Sequence, residues 1–190
     1  MKKKYHFPKN MKKDDVKEAK KIAKKLEKLD IWPKMGKYAE MRNLVLQNFN
    51  DMDFLIARII SGLFFGEVRA DFVEDVLYDN SMSAYARIQI LKKTLKRENM
   101  YDKVLNNLDE MNRIRNLFAH CMTSPTIGHK ESEIVSFEII SYDVKRQVID
   151  LEEENKKFIE CTNKVLPYLA DLFHEVNSGE YSKKKKESKK

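Results

Sequence analysis

The sequence predicts an all-α protein: a bundle of about five to six helices with a small β-hairpin inserted before the last one. Three observations carry that prediction. Only five glycines and four prolines occur in 190 residues, which suits long helices joined by few tight turns. Apolar residues recur three and four positions apart along most of the chain, the period of a helix with one buried side. Alternation of period two, the mark of a strand, occurs once, around Ile134 to Ile140.

Taken in order, Asp14 to Leu29 reads as a first helix with Val16, Ala19, Ile22, Ala23, Leu26 and Leu29 on one side and lysines on the other. Asp14 and Asp15 suit its first turn, where the helix dipole favours negative charge. Ile31-Trp32-Pro33 interrupts the pattern, and Trp32 is expected to anchor the junction. A helix of about 30 residues follows from Met35 to Phe65, with its stripe at Leu44, Val45, Phe49, Met52, Leu55, Ile56, Ile59, Ile60 and Leu63. Gly62 and Gly66 are expected to mark its weakening and its end. A short helix from Asp71 to Leu77 ends at Asn80-Ser81. Ser83 is placed to cap the next, Ala84 to Leu95, with Tyr85, Ile88, Leu91 and Leu95 inward. Met100 to Cys121 is a further helix, led by Val104, Leu105, Leu108 and Met111. Thr123 to His129 reads as a loop by composition. Residues 134–140 are expected to pair with 146–149 around a turn at Tyr142-Asp143, with Val135, Phe137 and Ile139 covered. The last helix opens at Asp150 or Leu151 and runs to about Val176, with Phe158, Val165, Leu166, Leu169 and Phe173 inward and a kink at Pro167.

The chain is long enough for one domain with a single core. Residues 1–33 read as a basic N-terminal arm, 34–177 as the helical domain, and 178–190 as a Lys-rich disordered tail. The net charge of +7 is unevenly held: residues 1–29 carry +8 and 182–190 carry +5, which leaves −6 on the body. Basic arms raise encounter rates with nucleic acid without reading its sequence, and they equally serve as solubilising ends. No apolar run reaches 18 residues and no apolar region follows the first lysines, so neither a membrane span nor a secretory signal is expected. A cytoplasmic protein is the expectation. Cys121 and Cys161 are expected as free thiols.

The stretch with chemistry in it is Met111 to His120. Met111, Ile114, Leu117, Phe118 and Cys121 share an apolar side. Asn112, Arg115, Asn116, Ala119 and His120 line the other, recurring at spacings of three, four, seven and eight. A guanidinium, an amide and an imidazole therefore flank a small alanine. Such groups can bind an anionic phosphate and move protons, as the metal-independent cleavage of RNA implied by the resemblance given below requires. The 2′-hydroxyl attacks the neighbouring phosphorus once a base takes its proton, and an acid protonates the departing 5′-oxygen. Imidazole suits either proton transfer, and a guanidinium matches the charge growing on the phosphoryl oxygens.

Arg115-Asn116-Leu117-Phe118-Ala119-His120 resembles the arginine, asparagine, three residues, histidine signature of the HEPN superfamily, small all-helical domains of which many are metal-independent RNases. The wording from Ile114 to His120 is especially similar to the branch containing mannitol operon repressor proteins, as is Ser83 to Ile88. The resemblance covers roughly residues 35–175, and only the six-residue motif is sharp. It implies a metal-free and cofactor-free endoribonuclease, a toxin or phage-defence effector, with Arg115, Asn116 and His120 catalytic. It also implies a homodimer whose two motif helices form one composite cleft. Arg115 and His120 lie about 140° apart around a helix of 3.6 residues per turn, so one copy makes a thin site. Arg113, seven positions before His120, is a reserve for the arginine role and, with Asn112, a candidate RNA contact. The family also suggests a nucleotidyltransferase-like antitoxin as partner. It includes non-catalytic regulators too, which makes a nucleic-acid-binding or protein-binding module the alternative.

Elsewhere the signals are weaker. His6, His129 and His174 have no zinc-site spacing. Glu152-Glu153-Glu154 and Asp51/Asp53 read as solvated faces, and Glu74 and Asp75 are acids that folding, not spacing, would have to bring to the site. No glycine-rich phosphate loop is present.

Overall fold

The computed structural model describes residues 31–98, 100–130, 133–142 and 147–179, together with 16–17, 20–21 and 24. Of the N-terminal arm, those five positions are helical, with Lys17, Lys20, Lys21 and Lys24 exposed. The other residues of 1–30, the side chains of 31–34 and residues 180–190 lie outside the described residues, while Ile31-Trp32-Pro33, expected to interrupt the pattern, already form the first turn of the long helix that follows.

The body is a mostly helical bundle. Helix α1 (Ile31–Phe65) is its longest element, followed by a short turn α2 (Ala70–Phe72) that runs into a π-helical turn (Val73–Leu77), then α3 (Ala84–Arg97). A 3-10 turn (Lys103–Asn106) leads into α4 (Asn107–His120), and α5 (Leu151–Asn177) closes the chain. Local chemistry explains the boundaries. Ser83 Oγ accepts from the Ala86 N–H at 3.2 Å, as its predicted capping role requires. Asp102 caps the 3-10 turn by accepting from Val104 N–H at 2.7 Å, so the predicted helix from Met100 begins later and tighter. Asp150 accepts from the N–H groups of Glu152 and Glu153, both at 3.0 Å, and opens α5 with three glutamates in its first turn. Gly66, at φ +79°, ends α1 by donating to the Gly62 carbonyl at 2.8 Å, a conformation that favours glycine.

Helices α1 and α5 run the same way. Lys37 pairs with Glu152 near their starts at 2.8 Å, and Gly62 faces Val176 near their ends. A Cβ on Gly62 would stand 1.9 Å from Val176 Cγ1. Gly62 is therefore a point of close helix approach, not the weakening the sequence suggested. Helix α4 runs opposite to α1, since Arg115 lies against Phe49 while Ala119 lies against Arg42. The core sits among α1, α3, α4 and α5. Ile56, Ile59, Ile60, Leu91, Leu95, Leu108, Met111, Ile114, Phe118, Phe158, Val165 and Leu169 are each at most 1% exposed. Each such side chain contributes about 1.5–3 kcal/mol by leaving water.

Several expected positions differ. Leu44, Tyr85 and Leu166, predicted inward, are 48%, 54% and 44% exposed, because each stands at the margin of its stripe. Asp53, read as solvated, is buried in an ion pair with Arg87. The guanidinium donates to both carboxylate oxygens of Asp53, and also to the carbonyls of Leu77 at 2.6 Å and Met82 at 2.9 Å. This clamp ties α1 to α3 and to the π turn. Pro167 lies on the exposed side of α5, and the helix continues through it.

Between α4 and α5 stands a three-stranded antiparallel sheet, ordered β1 (Met122–Lys130), β2 (Glu133–Tyr142), β3 (Val148–Ile149). The predicted partner of β2 is present only as Ser141↔Ile149 and Tyr142↔Val148. The main partner is β1, from Met122↔Tyr142 to Lys130↔Glu133, over the segment that composition marked as loop. Pro125 and Gly128 gave that impression. Pro125 is tolerated because β1 is an edge strand, and the register shifts at Gly128/His129 as a bulge would. The side chains of Val135, Phe137 and Ile139 and the turn at 143–146 lie outside the described residues.

Candidate functional site

The C-terminal half of α4 carries the site. Its apolar stripe is fixed by burial: Met111, Ile114 and Phe118 are fully buried and Leu117 and Cys121 partly so. That anchoring sets the rotation of the helix and decides where the polar residues go. Asn116 and His120 are exposed, and Asn112, Arg115 and Ala119 are half-buried.

Arg115 and Asn116 meet. Arg115 Nη1 donates to Asn116 Oδ1 at 2.8 Å, which leaves the amide N–H2 of Asn116 as an outward donor. The Arg115 guanidinium also lies over the ring of buried Phe49 on α1, 5.4 Å from its centre. Its Nε is buried with no hydrogen-bond acceptor, and it forms no ion pair among the described residues. The imidazole of His120, the last residue of α4, has no hydrogen-bond partner among the described residues. One copy thus joins the guanidinium to the amide but leaves the imidazole apart. Asn112 sits one helical turn before Asn116, and its side-chain amide has no partner among the described residues.

Arg113 is placed elsewhere. It donates to both oxygens of Glu110, at 2.9 and 2.7 Å, and pairs with Glu154 on α5. The Glu110 carboxylate, and with it Glu154, hold Arg113 above the ordinary arginine range, against the opposing effect of burial. Arg113 in turn holds the Glu110 carboxyl below its usual value. An RNA phosphate approaching Arg113 would have to share it with two carboxylates. Glu154 is also bound by Lys157 at 3.3 Å. Glu152 and Glu153 are exposed as expected, whereas Glu154 is half-buried by these partners.

One residue beside the motif escaped the sequence reading. Arg42 of α1 donates through Nη2 to the Ala119 carbonyl at 3.2 Å, at the end of α4 where backbone carbonyls lack helical partners. The signal was present in the spacing: Met35, Tyr38, Ala39, Arg42 and Leu46 recur at helical intervals, and all line one cleft with Phe118 and Cys121. Cys121 and Cys161 form no disulfide among the described residues, and burial pushes the Cys161 thiol up from its usual value. Among the described residues no group of three or more His, Cys, Asp or Glu is placed to hold a metal ion. Among them also, no helix is long and apolar enough to cross a membrane. No family model, no curated protein and no solved structure matches the chain.

Proposed function

We propose that the protein is a metal-independent endoribonuclease of HEPN type, a toxin or phage-defence effector, cutting RNA at a cleft shared by two copies of the chain. The observation that carries this reading is the contrast between two neighbouring arginines. Arg113 is neutralised by Glu110 and Glu154, whereas Arg115 has no carboxylate partner among the described residues and is oriented by Phe49 and Asn116. A positioned, uncompensated guanidinium is what an anionic phosphorane-like transition state needs. Arg115 binds the phosphoryl oxygens, and Asn116 orients the phosphate through its outward amide donors. His120 of the facing copy transfers protons: its imidazole takes the 2′-hydroxyl proton, and the resulting imidazolium returns a proton to the departing 5′-oxygen. The 2′-oxygen to phosphorus bond forms as the 5′-oxygen leaves, giving a 2′,3′-cyclic phosphate and a 5′-hydroxyl. The separation of Arg115 from His120 on α4 supports the need for a second copy, and the half-buried Ala119 between them allows close approach of the two helices.

The test is incubation of purified protein with RNA in chelator, with the new ends identified by mass spectrometry. The expected products carry 2′,3′-cyclic phosphates, and His120→Ala and Arg115→Ala should each lower kcat at least 100-fold with the helical circular dichroism retained. Cutting that persists in both variants would remove the assignment. Salt-sensitive binding with no cutting would instead favour the non-catalytic regulator.

A further inference from the structure

The cleft next to the end of α4 has a volume of about 390 Å³, toward the small end of the range of roughly 300–1,000 Å³ usual for small-molecule sites. Its floor is Phe118 and Cys121, which bracket His120 in the chain. Its wall is α1, which contributes the partly buried ring of Tyr38, the amide of Asn43 and the guanidinium of Arg42. Among the described residues, Arg42 is the one charged residue lining it. An aromatic ring, a planar amide and a lone cation match a particular ligand chemistry. A heterocycle stacks on the ring, its polar edge meets the amide, and its phosphate meets the cation.

We infer that this cleft is a base-binding subsite, receiving the nucleobase of a ribonucleotide that adjoins the cleaved phosphate. The inference rests on the nuclease reading of α4, and it adds a residue that reading does not use. The Arg42 bond to the Ala119 carbonyl holds a guanidinium that lines the cleft against the residue preceding His120. Arg42 acts here as a substrate-positioning residue: it sets which nucleotide is presented and does not take part in the proton transfers.

The experiment uses the full chain carrying His120→Ala and, as probes, the four 5′-ribonucleoside monophosphates in chelator. Binding is read by calorimetry and by protection of Cys121 from iodoacetamide, with buried Cys161 as the internal reference. At least one nucleotide is expected to bind and to slow Cys121 alkylation at least fivefold. Ala39→Trp, which sets an indole across the opening from an exposed position, and Arg42→Ala should each weaken that binding about tenfold. With His120 intact, the same two variants should raise KM and blur base preference at the cut while leaving kcat within about twofold. No protection by any nucleotide, or protection undiminished in both folded variants, overturns the subsite. Protection by an apolar peptide but by no nucleotide also overturns it and assigns the cleft to a protein. The two readings fail separately: RNA cutting without nucleotide protection removes only the subsite, whereas Ala39-sensitive nucleotide binding without cutting removes only the nuclease.

Discussion

Arg115 is held in a way that folding alone does not reward. Its Nε is buried and unpaired, at a cost of about 1–3 kcal/mol, set against one bond to Asn116 and a ring contact with Phe49. Arg115→Met keeps the aliphatic stem and removes the orphaned donor. Urea unfolding should place it within about 1 kcal/mol of the wild type, or above it, while RNA cutting is lost. A loss of more than about 2 kcal/mol would mean that Arg115 is there for stability. Arg113 predicts the opposite behaviour. Hydrogen bonding from Arg113 keeps the Glu110 carboxyl below its usual value. A carboxyl depressed in the fold adds stability above its unfolded-state value, near 4.3, and loses it as pH falls through the lower folded-state value. Both side chains are well exposed, so solvent screening limits the effect to about 0.5 kcal/mol. Glu110→Gln should therefore unfold at lower urea than the wild type at about pH 7, with the gap closed at about pH 2. A gap that survives acid would assign it to something other than the ion pair.

At the scale of elements, the Asp53–Arg87 clamp decides how α1, α3 and the π turn sit together. Its side chains are each 7% exposed. Arg87→Ala would leave Asp53 buried without its counter-charge and should cost about 3–5 kcal/mol in chemical unfolding. A cost under about 1 kcal/mol would show that water reaches Asp53 once Arg87 is gone. Helices were legible in the sequence because apolar period and capping chemistry agree: Ser83 and Asp150 cap as their residue types imply. Asp53 was misread by its charge, although Phe49, Asp53, Ile56 and Ile60 follow one another at helical spacing, which places it on the buried stripe. Its partner stands 34 residues away, and no local pattern reports that. Strand β1 was misread because Pro125 and Gly128 are turn residues locally but are tolerated where only one edge pairs. At the candidate site, the sequence put Arg115, Asn116 and His120 on one outer side. It did not reveal that Glu154 on α5 takes Arg113, nor that Arg42 on α1 reaches Ala119, because both contacts cross between helices.

For the molecule as a whole, the proposed chemistry needs two copies of α4, since one copy leaves His120 apart from the Arg115–Asn116 pair. The body carries −6 while the terminal stretches carry +8 and +5, so the proposal assigns the attraction of RNA to the arms and its cutting to the body. Removing residues 1–29 and 182–190 should therefore raise KM and flatten the salt dependence of cutting, with kcat retained. The most direct test co-expresses Arg115→Ala and His120→Ala chains under different tags and purifies through both. If one cleft draws its guanidinium from one copy and its imidazole from the other, each variant alone is inactive and the doubly tagged species cuts RNA in chelator. A doubly tagged species as inactive as its parents, beside an active wild type, would contradict the shared cleft.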